Sequence, residues 1–239
     1  MENIISLTNI SKTFGNKKVL DNITFQPQNG KIIGLIGPSG AGKSTIIKVL
    51  LGMEIADSGS AKVFGKTMPN RQLLSRIGYM AQSDALYGQL TAQENLEFYA
   101  EMLKISKQEQ QKQIAKVAKI VDLTESLNIK ADDYSGGMKR RLSLAIAMLG
   151  DKDLLILDEP TVGIDPALRI KIWKELTAMK NQGKTILVTT HQMDEAELVD
   201  EVAILHDGKI IAMDTPDVLK MKYEADSIEQ VFLKAEGED

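Results

Sequence analysis

Apolar and polar positions follow one rhythm at the two ends of the chain and another in its middle. Short unbroken apolar runs at 32–36, 154–157, 185–189 and 202–205 are too brief for core helices, and each is followed by turn or cap residues. That is the pattern of buried strands in a parallel sheet. Between the second and third runs, Leu168, Ile172, Leu176 and Met179 share one face of a helix that opens with Asp165 as N-cap and Pro166 in its first turn, and stops at Gly183. Strand, helix and strand in that order make a βαβ crossover, which predicts an α/β fold. Nearer the start, strand-like pieces at 4–7, 22–25 and 61–64 are separated by turn residues at Gly15-Asn16, Gln28-Asn29-Gly30 and Asp57-Ser58-Gly59. A small antiparallel sheet is expected there, beside a mostly parallel one.

From about residue 83 to 150 the period becomes helical. Thr91-Ala92-Gln93-Glu94 and Ser106-Lys107-Gln108-Glu109 each spell a capping box, the first ahead of Leu96, Tyr99, Ala100 and Leu103, the second ahead of Ile114, Val117, Ala118 and Val121. The expected organisation is one domain over 1–239. Its α/β core and antiparallel β-subdomain come from 1–82 and 151–239, and a helical subdomain at 83–150 is inserted between them. After the turn at His206-Asp207-Gly208-Lys209 the remaining stretch is too short for a separate regulatory domain.

Composition narrows the picture. With 43% hydrophobic and 26% charged residues, the 239-residue chain is of ordinary globular type. Lys plus Arg number 29 against 33 Asp plus Glu, a net charge of −4, which argues against unspecific nucleic-acid binding. The absence of cysteine excludes a disulfide framework, Cys-ligated zinc and thiol catalysis. Met1-Glu2-Asn3-Ile4-Ile5 has no basic stretch leading into an apolar one, so no secretory signal is expected. Apolar runs such as 154–157 and 145–149 fall far short of the roughly 20 residues a membrane span needs.

Two segments carry chemistry on their own residues. Gly37-Pro38-Ser39-Gly40-Ala41-Gly42-Lys43-Ser44-Thr45 satisfies G-x-x-x-x-G-K-[ST] between a predicted strand and a predicted helix, the context of a P-loop. Its glycines let backbone N–H groups face a polyphosphate, Lys43 reaches the β and γ phosphates, and Ser44 is placed to ligate Mg²⁺. Leu154-Leu155-Ile156-Leu157-Asp158-Glu159 puts two carboxylates at the carboxyl end of a buried strand, where open α/β sheets bind ligands. Asp158 is the expected Mg²⁺ partner and Glu159 the expected base, because charge beside a core is costly without an ion partner.

At Tyr134-Ser135-Gly136-Gly137-Met138-Lys139-Arg140-Arg141 a Ser-Gly-Gly run opens a helix with Leu142, Ala145, Ile146 and Leu149 inward. Together with the P-loop, the acidic strand end, Gln82, and His191 after the 185–190 strand, this segment closely resembles the nucleotide-binding subunit of ABC transporters, and the resemblance covers essentially the whole chain. It implies a P-loop NTPase core that binds ATP and Mg²⁺. It further implies that two copies sandwich two ATP molecules head to tail, so that Ser135, Gly136 and Gly137 of one subunit close on the γ-phosphate held by Lys43 of the other. On matching positions, Gln82 senses the γ-phosphate through Mg²⁺ or water, His191 contacts that phosphate and orients Glu159, Phe14 stacks on adenine, and Asp165 belongs to a loop communicating across the dimer. Taken alone, Ser135-Gly136-Gly137 is a plain N-cap with a flexible entry loop, Gln82 one polar loop residue, His191 a hydrogen-bonded structural histidine and Phe14 a core residue.

The chain departs from the family pattern at Met138, where a glutamine is usual, and at Phe14, where tyrosine is commoner. The strings Tyr134-Ser135-Gly136-Gly137-Met138, Glu159-Pro160-Thr161-Val162-Gly163-Ile164-Asp165-Pro166 and Glu229-Gln230-Val231-Phe232-Leu233 look like the drug and antibiotic efflux branch, the daunorubicin-resistance type. The reading is thus an ATPase with Glu159, His191 and Lys43 as catalytic groups, working with a second ATPase subunit and a polytopic membrane permease at the cytoplasmic face of the membrane, without nucleic acid. A soluble ABC ATPase without a membrane partner and an importer subunit are the alternatives. Leu86 and Tyr87, in the loop Ser83-Asp84-Ala85-Leu86-Tyr87-Gly88, are expected to be exposed for a helix of the membrane subunit. Lys139-Arg140-Arg141 reads as a solvated helix face and Trp173 as packing.

Overall fold

The computed structural model describes residues 3–83 and 85–237. The chain opens with the hairpin of β1 (Ile5–Phe14) and β2 (Lys17–Phe25), turning at Gly15-Asn16. It enters β3 (Ile32–Ile36) and passes through the P-loop into α1 (Lys43–Leu50). β4 (Ser58–Val63) and β5 (Lys66–Thr67) then complete a four-stranded sheet of order β2-β1-β4-β5, antiparallel throughout.

β6 (Ile77–Met80) starts the second sheet. Three helices follow, α2 (Ala92–Met102), α3 (Lys107–Ile120) and α4 (Gly136–Ala147), before the chain returns as β7 (Leu154–Asp158). α5 (Pro166–Asn181) crosses to β8 (Thr185–Thr190), and the short α6 (Met193–Ala196) leads to β9 (Glu201–His206) and β10 (Lys209–Asp214). α7 (Pro216–Lys222) and α8 (Ile228–Glu236) close the described chain. The sheet order is β10-β9-β3-β8-β7-β6, parallel except for the antiparallel edge strand β10.

Alternation along these strands feeds two cores. Ile32, Leu155, Leu157, Ile186, Val188, Val202 and Ile204 pack with the helices of the inserted segment, among them Leu96, Ile114, Val117, Leu142 and Ala145. Ile33, Leu35, Leu154, Ile156, Leu187, Ala203 and Leu205 pack with α1 and the antiparallel sheet through Ile46, Leu50, Leu7 and Phe25. Burial on both faces is why the strands read as unbroken apolar runs.

The local signals hold where the caps are made. Asp165 Oδ1 accepts from Leu168 N at 3.0 Å, and both bonds of the Thr91–Glu94 capping box are present. Two expectations are corrected, and one strand is added. Ser106 is an N-cap without a side-chain bond, and the Glu109 carboxylate accepts from Gln113 Nε2 at 3.1 Å on its own helix. Ser58 and Gly59 lie in β4 and not in a turn; Gly59 is there for close approach, since a Cβ would stand 2.3 Å from the Asn9 carbonyl oxygen at the irregular stretch of β1. β6 was not foreseen, because Gly78 interrupts its apolar pattern where a Cβ would meet the Ala147 carbonyl oxygen of the packed α4 at 2.2 Å.

Candidate functional site

The carboxyl ends of β3, β7 and β8 converge on the P-loop. Gly37 lets the chain leave β3 flush against β9, where a Cβ would sit 2.1 Å from the Leu205 carbonyl oxygen. Gly42 takes φ +112° and gives α1 no side-chain cap, so the first N–H groups of the helix stay open toward the loop, an anion site by geometry and dipole. Lys43 is buried, and its Nζ donates to the carbonyls of Gly37 at 2.7 Å and Pro38 at 3.0 Å. Burial holds its ammonium below the usual lysine range, opposed by the carboxylates of Glu159 and Asp158.

Asp158, also buried, is held from both sides: Ser44 Oγ donates to Oδ2 at 3.0 Å and Thr189 Oγ1 donates to Oδ1. Glu159 follows in the left-handed region, φ 54°, which is strained for a residue other than glycine. Its N–H reaches the Thr189 carbonyl at 3.1 Å, and Oε1 lies 3.0 Å from His191 Nδ1. The histidine ring is half exposed, 49%, while the Glu159 side chain is 16% exposed. Ser39, Gly40, Gly42, Lys43, Ser44, Thr45, Gln82, Glu159 and Val19 line an open cleft of ≈ 240 Å³.

The remaining expected residues divide between the loop, the surface and the helical segment. Gly37 and Ala41 are buried supports of the loop, and Pro38 is exposed on it. Phe14, at the end of β1, is no core residue: it is 43% exposed, with Lys12 Nζ 5.1 Å from its ring centre. Ser135 caps α4 by accepting from Met138 N at 3.3 Å. Gly136 is exposed with open space around it, and neither it, Ser135 nor Gly137 lines the cleft. Leu86 is half-buried against the helical core, contrary to expectation, whereas Tyr87 is exposed and stacks edge-on against Phe98 with ring centres 4.7 Å apart. Asp84 of that loop lies outside the described residues, as do Met1 and Glu2 of the N-terminal reading.

Two features escaped the sequence. Arg140 is not on a solvated face: it is buried, and its guanidinium donates to the carbonyls of Ala81, Gln82, Asp158 and Glu159. Arg141 Nη1 likewise donates to the Asp122 carbonyl at 2.9 Å. Beneath the site, buried Glu195 on α6 accepts through Oε1 from Thr161 Oγ1 and from Trp173 Nε1 at 3.4 Å, joining the segments that follow Glu159 and His191.

Comparison with known proteins identifies the family. A family profile described as ABC transporter matches residues 20–162. ABC transporter G family member 20 of Dictyostelium discoideum is 42% identical over 236 residues, 96% of this chain and 32% of that protein. The Nod factor export ATP-binding protein I of Rhizobium meliloti is 42% identical over 218 residues, 90% of this chain and 65% of that protein. The probable multidrug ABC transporter ATP-binding protein YbhF of Escherichia coli is 37% identical over 240 residues, 98% and 42% of the two chains. The chain thus spans about a third to two thirds of the length of these relatives. Among solved structures, an ATP-binding subunit of an ABC transporter superposes with TM-score 0.91 at 26% identity, covering 98% of this chain and 100% of that one. A dimeric ATP-binding cassette in a post-hydrolysis state bound to ADP and Pi superposes with TM-score 0.82 at 25% identity, covering 88% and 98%. With that profile and those likenesses on a P-loop cleft of this geometry, the chain belongs to the ABC transporter family and is an ATPase cassette of it.

Proposed function

We propose that the chain, acting as one domain over 1–239, binds ATP with a second cassette in a head-to-tail dimer and hydrolyses it to drive export through a separate membrane subunit. The observation that carries this reading is a division of labour: Lys43, Ser44 and Glu159 line one cleft, with Asp158 bonded to Ser44 and His191 to Glu159, while Ser135, Gly136 and Gly137 stand outside it at a helix end whose Ser135 and Gly136 are exposed. A helix N-terminus of small residues suits a phosphate, and the head-to-tail arrangement supplies it from the partner's P-loop.

In the mechanism, the open N–H groups of the P-loop and α1 cradle the phosphates, and Lys43 turns its ammonium from the loop carbonyls toward the β and γ oxygens. Glu159 accepts a proton from the attacking water, with its carboxylate held by His191. His191 Nε2 then faces the γ-phosphoryl group, and Gln82 on the cleft wall reads whether that group is present. Phe14, exposed on β1, stacks on adenine. Ser44 Oγ and Asp158 Oδ2 are oxygen donors fit for Mg²⁺, which typically takes one or two protein oxygens and completes its shell from phosphate and water. Among the described residues no group of three or more His, Cys, Asp or Glu could hold a metal. Bound Mg²⁺ would supply charge neutralisation at the phosphate oxygens.

Export is favoured by the names of the relatives that match, a multidrug transporter subunit and a Nod factor export subunit. Among the described residues no helix is long and apolar enough to cross a membrane; in the proposed reading a membrane subunit supplies the path, and the chain sits at the cytoplasmic face of the membrane. The partner's docking face is the surface of exposed Tyr87, Phe98 and Met102. Affinity purification of the tagged chain from detergent-solubilised membranes tests the reading: a stoichiometric polytopic membrane protein is expected, lost when Tyr87→Glu is introduced while ATP binding persists. Recovery with cytosolic proteins alone would overturn the transport assignment and leave the ATPase.

A further inference from the structure

β6 and β7 run in parallel register as far as Met80 and Leu157. Past that point the two chains separate, one toward Gln82 and the other toward Glu159, and Arg140 bridges them. Its Nη1 donates to the carbonyls of Ala81 at 2.8 Å and Gln82 at 2.9 Å, and its Nη2 to that of Asp158 and, at 2.7 Å, to that of Glu159, which also receives Nε at 3.2 Å. Four backbone carbonyls from two site segments converge on one buried cation. Only a planar fork with several fixed donors can satisfy them together; a lysine in its place would reach fewer.

Arg140 belongs to α4, whose N-terminal turn is Ser135, Gly136 and Gly137. A helix moves as a rigid rod, so a displacement at its exposed end arrives at Gln82 and Glu159 through the guanidinium. The arrival matters because Glu159 sits at φ 54°, a conformation that persists only while its surroundings hold it. Its carbonyl is held by Arg140, its N–H by Thr189, and its carboxylate is thereby aimed at His191.

We propose that Arg140 is a positioning residue that makes the geometry of Gln82 and Glu159 in a subunit depend on whether that subunit's Ser135–Gly137 segment is engaged by phosphate. Resting on the head-to-tail ATPase reading, this means that each ATP site reports its occupancy to the other through one arginine of each subunit. Turnover is then cooperative in ATP, and the cooperativity passes through Arg140.

The test compares the wild-type chain with Arg140→Lys and Arg140→Met, using calorimetric ATP binding, phosphate release as a function of ATP concentration, and thermal unfolding as a check on folding. The expected result is a graded loss of turnover, wild type above Arg140→Lys above Arg140→Met, reaching about 10²-fold, the cost of misplacing a catalytic group by about 1 Å, with a Hill coefficient falling toward one and ATP affinity essentially unchanged. If Arg140→Met does not fold, Arg140→Lys carries the comparison, since it keeps the charge and loses the fork. Wild-type turnover and Hill coefficient in folded variants would overturn the inference while leaving the ATPase reading intact, and so would turnover lost only in proportion to ATP affinity. A wild-type chain that does not bind ATP at all would overturn that reading first.

Discussion

The cleft and the Ser135–Gly137 segment are built on opposite terms. In the cleft the charged groups have partners within the same chain: Lys43 on two carbonyls, Asp158 between Ser44 and Thr189, Glu159 against His191. At the start of α4 one serine bond caps the helix, and the glycine beside it faces open space. A web of that kind is preorganised and costs little to align when charge develops. An open helix end needs a ligand from outside. Under the head-to-tail reading proposed above, the contrast is between a binding half assembled within one chain and a closing half that meets the partner's phosphate.

Removing the carboxylate breaks the complete half at its chemistry. Glu159→Gln should lower steady-state phosphate release by about 10²–10⁴-fold, the usual worth of a general base, and accumulate an ATP-bound dimer visible by size-exclusion chromatography. Undiminished release would remove Glu159 from the mechanism.

Next in size is a pair of glycine substitutions that separates the two halves. Gly136→Asp places a carboxylate where phosphate is expected and should cost about 10²–10³-fold in turnover, comparable to losing an oxyanion donor. Because a Cβ there meets nothing, its thermal unfolding should stay within about 0.5 kcal/mol of wild type. Gly42→Ala should do the reverse to the fold: at φ +112°, with Leu20 Cδ2 at 2.8 Å from the new Cβ, it should destabilise by about 1–3 kcal/mol in chemical denaturation. Equal stability losses in the two variants would erase the distinction drawn between the halves.

The smallest effect is expected at Phe14, which sits on the complete side but outside its polar web. Phe14→Ala should weaken ATP binding by about 1–3 kcal/mol, the worth of one base-stacking ring, and leave GTP and ATP similarly affected because stacking is base-tolerant. Calorimetric titration decides it; unchanged affinity would return Phe14 to a role on the surface.

What the sequence disclosed follows this same line between local and assembled features. The P-loop was legible because its glycines and its lysine are consecutive, and the Asp158-Glu159 pair because two acids closing an apolar run need a cation beside them. The helix over Pro166–Asn181 was legible from its cap. Arg140 was not, since three basic residues in a row on a helix do not say which one turns inward until its acceptors are placed. Two of those acceptors, the carbonyls of Ala81 and Gln82, lie just past β6, the strand that Gly78 conceals. The pairing of Glu159 with His191 joins residues 32 positions apart; their residue types alone carried no sign of it, and the family resemblance did.

The buried contact among Trp173, Glu195 and Thr161 has a practical consequence. Trp173 is the single tryptophan of the chain, and the carboxylate it touches ties together the loops that follow Glu159 and His191. Its indole is therefore an optical gauge already installed under the reaction centre: ultraviolet emission from this one residue should change in colour and intensity as those loops shift, letting each catalytic cycle be followed in real time on unlabelled protein.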